Sequence, residues 1–376
     1  MNESIIDLFA KIDMKKLSFA TSVIVVVIIL SLNIATAVAT TSYQIESLGP
    51  LGYFSRARAI SQNGLIVGEC VLSPSGEHAV SWDGGTLADL GTLGGSKSRA
   101  FSVNSSGYVC GWAQNVTGQT KASLWHDNQV FELPGLGGST SSAWGINSYG
   151  DIVGNAYINN SVYHASLWRD NSVFDLGTLG GQYSIAYSIN DQGQIVGSAD
   201  DLSGREWACL WTNTTKLDLG GLPGGTWSTA RMINNAGQAI LWADTTGGVD
   251  HAALWQDNCV YDLGTLGGQD SWAYGLNNLG SVVGWAELDA GNYHAFIYDG
   301  SHMADLGTLG GLFSSAYAIN DAGVIVGTAQ DSTGQWNAVC WVPVPEPSTL
   351  FLMAVMITLK NLKFSRKAGH SRLFVV

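Results

Sequence analysis

One short motif recurs along this chain at an almost constant interval, and it constrains the fold more than any other feature. The clearest copy is Asp175–Gly181, which reads Asp-Leu-Gly-Thr-Leu-Gly-Gly. The leucine after the acid occurs at Leu48, Leu90, Leu133, Leu176, Leu219, Leu263 and Leu306. The intervals are 42, 43, 43, 43, 44 and 43 residues. Such a period predicts a repeat protein in which each copy is one structural unit.

Each copy contains four strand-like runs and no run of helical period. Ser184–Asn190 and Gln194–Ala199 alternate around an Asn-x-x-Gly turn, in which asparagine opens the turn and glycine supplies a positive φ. His164–Trp168 and Ser172–Leu176 are typical third and fourth runs. The turn recurs in six copies, and Ser61 replaces its asparagine in the first.

Four strands in about 43 residues is the length of a β-propeller blade. The last copy stops at Trp341 without a fourth strand, while an unpaired Tyr43–Gly49 stands before the first copy. We therefore predict an all-β, seven-bladed β-propeller over residues 40–341, closed by an N-terminal strand that completes the last blade.

Charge and cysteine content exclude several classes of protein. The net charge is −13, and residues 40–347 hold 27 Asp and Glu against 9 Lys and Arg. A nucleic-acid-binding protein requires the opposite sign, so we expect no nucleic-acid partner. The cysteines are odd in number and occupy different repeat positions, which favours small buried hydrophobic residues over a disulfide framework. They are Cys70, Cys110, Cys209, Cys259 and Cys340.

The N-terminal 39 residues have the layout of an export signal. Lys15 and Lys16 precede the apolar run Leu17–Leu32, and Ala35-Thr36-Ala37-Val38-Ala39 follows. We predict a signal peptide over residues 1–39, cleaved after Ala39 or after Ala37, with Met14 as an alternative start. A retained membrane anchor is the alternative interpretation.

The C-terminal end carries a second targeting pattern. Residues 342–348 are proline-rich and include Pro345, Glu346 and Pro347, which hold the chain extended. Residues 349–367 combine an apolar run with a basic flank and predict a short transmembrane segment, before a tail over residues 368–376. A simple apolar tail is the alternative.

Two resemblances follow from these motifs. The Pro-Glu-Pro strip, apolar run and basic flank resemble the PEP-CTERM sorting signal of Gram-negative bacteria, which implies an exosortase-type processing enzyme as partner. Residues 43–341 resemble the HAF-type extracellular repeat, through His294-Ala295-Phe296 and the Gly-Thr-Leu-Gly-Gly segments. Together they imply an exported protein at the cell surface, anchored at least transiently in the membrane, with a propeller-like fold and no known reaction.

Most chemically active residues repeat from blade to blade, which indicates an architectural role. This applies to His78, His164, His251 and His294. It also applies to the acids Asp89, Glu132, Asp175, Asp218, Asp262 and Asp305, which can accept backbone N–H bonds. A ring of acids that binds a cation is the alternative for the second set. No cysteine pair has metal-ligand spacing and no catalytic motif is present, so we expect no cofactor, no metal site and no catalytic residue.

Aromatic residues that break the repeat are the candidate binding residues. They are Tyr183, Trp207, Trp227, Tyr293 and Trp336. All lie in blade connections or at the ends of second-to-third loops, which share one face of a propeller. Aromatic platforms beside acids and amides suit sugars. We therefore expect a non-catalytic binding module for an envelope polysaccharide. A structural or adhesion scaffold and an envelope glycoside hydrolase that uses an acid pair such as Asp200 and Asp201 are the alternatives.

Overall fold

The computed structural model describes residues 42–49, 54–73, 76–213, 215–344, 362–367 and 370–375, and every regular element in these ranges is a β-strand. Seven antiparallel four-stranded sheets follow one another as blades, and the first strands of neighbouring blades contact each other all the way round. The structure is an all-β, seven-bladed β-propeller, which confirms the fold predicted from the repeat.

The strands of the first four blades lie consecutively in sequence. Blade 1 contains β2 (Ser55–Ile60), β3 (Ile66–Ser73), β4 (Gly76–Asp83) and β5 (Thr86–Asp89). Blade 2 contains β6 (Gly94–Val103), β7 (Val109–Asn115), β8 (Thr120–His126) and β9 (Gln129–Glu132). Blade 3 contains β10 (Ser141–Ile146), β11 (Ile152–Tyr157), β12 (Tyr163–Arg169) and β13 (Ser172–Asp175). Blade 4 contains β14 (Gly180–Ile189), β15 (Ile195–Asp201), β16 (Glu206–Trp211) and β17 (Lys216–Gly220).

The last three blades include the closure. Blade 5 contains β18 (Ser228–Ile233), β19 (Ala239–Asp244), β20 (Asp250–Gln256) and β21 (Cys259–Asp262). Blade 6 contains β22 (Gly267–Leu276), β23 (Val282–Leu288), β24 (Tyr293–Tyr298) and β25 (Met303–Asp305). Blade 7 contains β26 (Gly310–Ile319), β27 (Ile325–Asp331) and β28 (Trp336–Val344), and its outermost strand is β1 (Ser42–Ser47). The predicted closure by an N-terminal strand is therefore confirmed.

The hydrophobic core lies between the blades. Val67 and Ala79 of blade 1 pack with Ala100, Val109 and Trp125 of blade 2, and equivalent clusters occupy the other gaps. Small alanines let neighbouring sheets approach closely, while one large ring per blade fills the wider outer part of each gap. In five blades this ring is a third-strand tryptophan that is at most 3% exposed: Trp82, Trp125, Trp168, Trp211 and Trp341. The equivalent Trp255 in blade 5 is only half-buried.

The cysteines of the described chain form no disulfide. Cys70, Cys110, Cys209 and Cys340 are buried in the core, which agrees with their interpretation as small hydrophobic residues, whereas Cys259 is exposed. Burial raises the pKa of the Cys70 thiol to about 11 and that of Cys209 to about 12. The four buried thiols are therefore uncharged packing groups.

Asparagine side chains of the Asn-x-x-Gly turns join each blade to the next. The Oδ1 atom of Asn234 accepts the N–H groups of Ala236 (3.0 Å) and Gln238 (2.9 Å), and its Nδ2 donates to the carbonyl oxygen of Asn277 in the next blade (3.0 Å). The same donation is made by Asn104, Asn147, Asn190, Asn277 and Asn320, the last to Ser61 in blade 1. An amide side chain accepts and donates at once, whereas a carboxylate at this position could only accept. The hydroxyl of Ser61, which takes the position in blade 1, bonds within its own turn.

First-strand serines form a second belt. Ser98 in blade 2 accepts the N–H of Ala79 from blade 1 (2.9 Å) and donates to the carbonyl oxygen of Gly91 (2.7 Å). The belt closes where Ser55 accepts the N–H of Ala338 (3.1 Å), across 283 residues of chain. The equivalent buried acceptors are Ser141, Ser184, Ser228, Ser271 and Ser314.

A separate hairpin follows the propeller in sequence. It pairs β29 (Leu362–Lys367) with β30 (His370–Val375) in an antiparallel arrangement. Within the ranges that the structure describes, no helix has the length and apolar character needed to cross a membrane. The predicted signal peptide, the Pro345-Glu346-Pro347 motif and residues 349–361 of the predicted transmembrane segment lie outside the described residues.

We predict that Asn234→Ser lowers the free energy of unfolding by roughly 1–3 kcal/mol, because the buried carbonyl of Asn277 loses its donor. A serine preserves the turn, since Ser61 already accepts the N–H of Leu65 in blade 1 (2.9 Å). Urea unfolding followed by tryptophan fluorescence measures the change. The exposed Asn160→Ser is the matched control and should stay within about 0.5 kcal/mol of the parent. Equal stability of both variants would remove the asparagine belt as a stabilising element.

We also predict that deletion of residues 41–49 lowers the melting temperature by on the order of 10 °C, at about 2–4 °C per kcal/mol for a domain of this size. The deletion exposes the edge of β28, removes the bond from Leu48 N–H to Ala338 O (2.9 Å) and uncovers the apolar cluster that Leu48 covers. Differential scanning calorimetry measures the loss. A peptide of sequence TSYQIESLG should restore part of it, whereas a scrambled peptide should not; an unchanged melting temperature would mean that β1 contributes nothing to closure.

Candidate functional site

A β-bulge in the first strand of every blade shapes the central channel. In blade 1 the register with β3 skips Arg58 between Ala57 and Ala59, and the same skip recurs in the other six blades. A residue without a ladder partner is free to leave the plane of the sheet. The seven bulged residues, here called the channel ring, are Arg58, Phe101, Trp144, Tyr187, Arg231, Tyr274 and Tyr317. All seven line one cavity in the channel.

A glycine opposite the bulge permits this geometry. A Cβ atom on Gly68 would lie 1.9 Å from the carbonyl oxygen of Arg56, and one on Gly111 would lie 2.0 Å from that of Arg99. Both distances are far below contact, so in these blades the glycine lets the bulged strand approach closely. Blade 5 keeps the bulge with Leu241 at this position, so glycine is not required there.

The channel ring is a closed circuit of contacts. Phe101 stacks on Trp144 (4.3 Å between centroids), and Trp144 meets the edge of Tyr187 (5.8 Å). Tyr274 meets Tyr317 (5.2 Å). The guanidinium of Arg58 closes one gap, 5.3 Å from Phe101 and 5.6 Å from Tyr317.

Arg231 and Trp242 close the other gap in the channel ring. The guanidinium carbon of Arg231 lies 3.7 Å from the Tyr187 centroid and 4.2 Å from that of Trp242. Trp242 in turn meets the edge of Tyr274 at 5.1 Å. Arg231 is therefore held between two aromatic faces, a favourable place for a partly desolvated cation.

The cavity extends from the channel ring to the Asn-x-x-Gly turns and has a volume of about 310 Å³. Exposed side chains of these turns form a polar collar at its mouth. Asp191 accepts bonds from Ser148 N–H (2.9 Å) and donates its own N–H to Asn235 (2.9 Å), and Asp321 donates its N–H to Gln62. Although burial alone would raise the pKa of Asp191, the hydrogen bonds from Ser148 and Asn235 lower it. The mouth is thus acidic and amide-rich.

The two arginines of the channel ring differ in their electrostatic partners. Arg58 makes a forked contact to the fully buried Glu69, with Nε 2.8 Å from Oε2 and Nη2 2.7 Å from Oε1. This carboxylate outweighs the effect of burial and raises the pKa of Arg58. Arg56 lies 3.5 Å from the same carboxylate.

Arg231 belongs to no ion pair within the described part of the chain. Burial lowers its pKa, although Tyr187, to which it is hydrogen-bonded, and Tyr274 oppose this shift. Tyr187 and Tyr274 stay protonated because burial raises the pKa of each phenol. The deep end of the cavity therefore combines an unpaired cation, protonated phenols and aromatic faces.

A continuous row of rings leads from the opposite face of the propeller to the channel ring. The centroid distances are 6.5 Å for Trp336–Phe313, 4.7 Å for Phe313–Tyr293, 4.9 Å for Tyr293–Trp285, 5.8 Å for Trp285–Trp272 and 4.4 Å for Trp272–Trp242. These six residues, here called the aromatic wall, belong to blades 5, 6 and 7 and are all partly exposed. The rings are half-buried and form one continuous aromatic surface along these three blades.

The structure distributes the five predicted binding residues over several places. Tyr293 and Trp336 are joined through Phe313 in the aromatic wall. Tyr183 belongs to a separate cluster, 4.9 Å from Tyr163.

The other two predicted residues have polar partners instead. Trp207 donates from Nε1 to Asp201 in its own loop (3.1 Å), and the backbone N–H of Trp227 donates to Asp244 (3.0 Å). Neither has a ring contact in the portion of the chain described.

The repeated histidines pair with the repeated acids. Nδ1 of His164 lies 2.8 Å from Asp175, and the same contact joins His78 to Asp89 (2.8 Å). His251 and His294 make it as well. Asp175 also accepts the N–H of Gly177 (2.7 Å), as predicted for a carboxylate before a glycine turn. The pairs lie on separate blades and tie the third strand to the fourth.

The acids Asp200 and Asp201 stabilise their own loops. Asp201 accepts bonds from Ser203 N–H (2.7 Å) and Arg205 N–H (3.1 Å). Together with the Ser203 hydroxyl, these bonds lower the pKa of Asp201 to about 2. Asp200 accepts the N–H of Tyr183 (3.2 Å). In the described ranges no group of three His, Cys, Asp or Glu side chains could hold a metal ion.

The channel ring was not predicted from the sequence, although a signal for it exists. In every copy a large aromatic residue or arginine stands directly after the buried first-strand alanine, for example Trp144 after Ala143 and Arg231 after Ala230. A large side chain that keeps its position while its chemistry varies indicates a lining role.

Neither a protein-family model nor a curated protein sequence matches this chain. Among solved structures it is similar to a puromycin-hydrolyzing peptidase from Mycobacterium tuberculosis, with a TM-score of 0.53, 11% identity and coverage of 79% of this chain and 55% of that one. It is similar to TolB from Acinetobacter baumannii, with a TM-score of 0.43, 12% identity and coverage of 73% of this chain and 78% of that one. It is also similar to a six-bladed lectin of Aleuria aurantia, with a TM-score of 0.32, 10% identity and coverage of 82% of this chain and 99% of that one. The chain thus spans about half the length of the peptidase, and the likenesses concern the β-propeller fold alone.

Proposed function

We propose that this protein is an exported, non-catalytic binding module that holds a polysaccharide on the aromatic wall. The observation that carries the proposal is the unbroken run of six partly exposed rings from Trp336 to Trp242, at 4.4 to 6.5 Å between neighbours. Exposed aromatic residues are normally scattered on a surface, so a continuous run of them marks a binding surface.

The physical basis of binding is stacking of sugar rings on aromatic faces. Stacking of a flat ring on an aromatic side chain contributes roughly 1–3 kcal/mol per contact for nucleic-acid bases. Sugars present an apolar C–H face that packs in a comparable way. Several such contacts along the wall would give useful affinity without any buried charge.

The proposal assigns no catalysis to this protein, because the histidines and aspartates that could act as acids or bases are hydrogen-bonded within their own blades. The four repeated histidines and their aspartates bond to one another, and Asp201 is bound to its own loop. Each is engaged in the architecture of one blade, which supports a structural role for these groups.

The proposed address is the Gram-negative cell surface or extracellular matrix. A signal peptide over residues 1–39 would export the chain, and residues 349–367 would anchor it in the membrane at least transiently. An exosortase-type enzyme that recognises Pro345-Glu346-Pro347 is the proposed processing partner.

We predict that Trp336→Ala weakens polysaccharide binding by roughly 5- to 150-fold, the loss equivalent to 1–3 kcal/mol for one stacking contact. A glycan array with the purified protein identifies the ligand, and isothermal titration calorimetry measures its affinity. Tyr293→Ala should act in the same direction. The matched controls Trp207→Ala and Trp227→Ala remove rings outside the wall and should change the affinity less than twofold.

Three results would contradict the proposed function. Equal losses from the wall variants and their controls would remove the aromatic wall as the site. Absence of glycan binding would favour a structural or adhesion scaffold. Release of shortened glycan during incubation would favour a hydrolase.

We predict that protein recovered from the surface of its native cell begins near Thr40 and ends near Pro345-Glu346-Pro347. Cleavage at these sites follows from the order of signal, strip, apolar run and basic flank. Intact-mass spectrometry reads both ends in one measurement. A mature mass that includes Val376 on all molecules would argue against exosortase processing and for a simple tail anchor.

A further inference from the structure

The propeller concentrates its few cations around the channel. Residues 40–347 hold 9 Lys and Arg against 27 Asp and Glu. The nine are Arg56, Arg58, Lys97, Arg99, Lys121, Arg169, Arg205, Lys216 and Arg231. Five of the nine lie on the innermost strands of their blades: Arg56, Arg58, Lys97, Arg99 and Arg231. Two of these, Arg58 and Arg231, line the channel cavity, so its deep end offers positive charge to an anionic ligand.

Carboxylates neutralise the other channel arginines but leave Arg231 without one. Glu69 binds Arg58 and lies 3.5 Å from Arg56, while Glu77 binds Arg99 at 2.7 Å. Arg231 is hydrogen-bonded to Tyr187, contacts the faces of Tyr187 and Trp242, and borders the cavity of about 310 Å³. An anionic ligand in this cavity would supply the counter-charge that Arg231 lacks among the described residues.

The surroundings of Arg231 define the chemistry of that ligand. A guanidinium fork matches a carboxylate with two parallel hydrogen bonds. The rings of Trp144 and Tyr274 provide stacking faces. The phenol groups of Tyr187 and Tyr317 can donate hydrogen bonds to the hydroxyl groups of a sugar and accept hydrogen bonds from them. The volume lies at the lower limit for small-molecule sites, so it suits one terminal unit rather than a long segment.

We propose that the channel cavity binds the terminal uronic acid of an acidic polysaccharide, with its carboxylate on Arg231 and its sugar ring among the aromatic side chains of the channel ring. This inference rests on the proposed function and extends it, because it names the class of sugar that the polysaccharide carries at its end. None of the six residues of the aromatic wall lines the cavity, so the wall and the cavity hold different parts of the polysaccharide.

Calorimetry with two matched oligosaccharides tests the inference, one ending in glucuronate and the other in glucose. The unmodified full-length protein should bind the acidic oligosaccharide at least tenfold more tightly, and added salt should reduce this preference. Arg231→Gln should abolish the preference, because glutamine keeps a polar side chain without the positive charge. Arg231→Lys keeps the positive charge but lacks the forked guanidinium, so it should retain part of the preference for the acidic oligosaccharide.

Arg205→Gln is the matched control, because Arg205 is exposed in a loop and lies outside the cavity lining. It removes one positive charge and should leave the preference intact. Melting temperatures of all variants identify any that fail to fold. If Arg231→Gln does not fold, the preference measured with Arg231→Lys decides the result.

Each remaining outcome overturns a distinct statement. Equal affinity for both oligosaccharides, or a preference that survives Arg231→Gln, removes the uronate site but leaves the wall as a neutral-sugar site. Inorganic phosphate that competes as well as free glucuronate shows a general anion site and overturns the uronate assignment. Failure of both oligosaccharides to bind, together with a negative glycan array, removes the proposed function and the inference at once.

Discussion

The hydrogen bond from one blade's turn asparagine to the next blade's carbonyl group is the contact on which the rest of the structure depends. Each such asparagine holds its own Asn-x-x-Gly turn with Oδ1 and the neighbouring turn with Nδ2, as Asn190 does with Gln194 and Asn234. The serine belt repeats this bridging nearer the opposite face, as in Ser184 and Ala165. Two belts at different heights fix both the spacing and the tilt of the blades. The asparagine belt lines the cavity, whereas the serine belt reaches the third strand of the neighbouring blade.

The bulge gives this rigid frame its chemical variability. A regular first strand would turn its side chains towards neighbouring blades, where only alanine-sized groups fit, as at Ala57 and Ala143. The unpaired bulge position escapes that restriction and can carry phenylalanine, tryptophan, tyrosine or arginine without disturbing the ladder. Architecture and ligand chemistry therefore occupy different positions of the same repeat.

Charge placement follows the same separation. The repeated carboxylates, such as Asp175 and Asp305, are used at the outer strands in contacts to histidine and to backbone N–H groups. Five of the nine cations lie on the innermost strands, where Glu69 compensates Arg58 and no described carboxylate pairs with Arg231. The aromatic wall meets the channel ring where Trp242 contacts Arg231, although no wall residue lines the cavity.

The sequence by itself determined the repeat length, the four strands of each blade and the closure by an N-terminal strand. These properties are local or periodic, and a period of 43 residues shows them directly. Only the tertiary structure decided which irregular residues meet. Trp336 and Trp207 look alike in sequence, yet one stacks beside Phe313 and the other bonds to Asp201. The direction of a bulged side chain is not set by strand alternation, and ring closure brings residues 58 and 317 together across the whole propeller. Long-range geometry of this kind leaves no trace in local spacing.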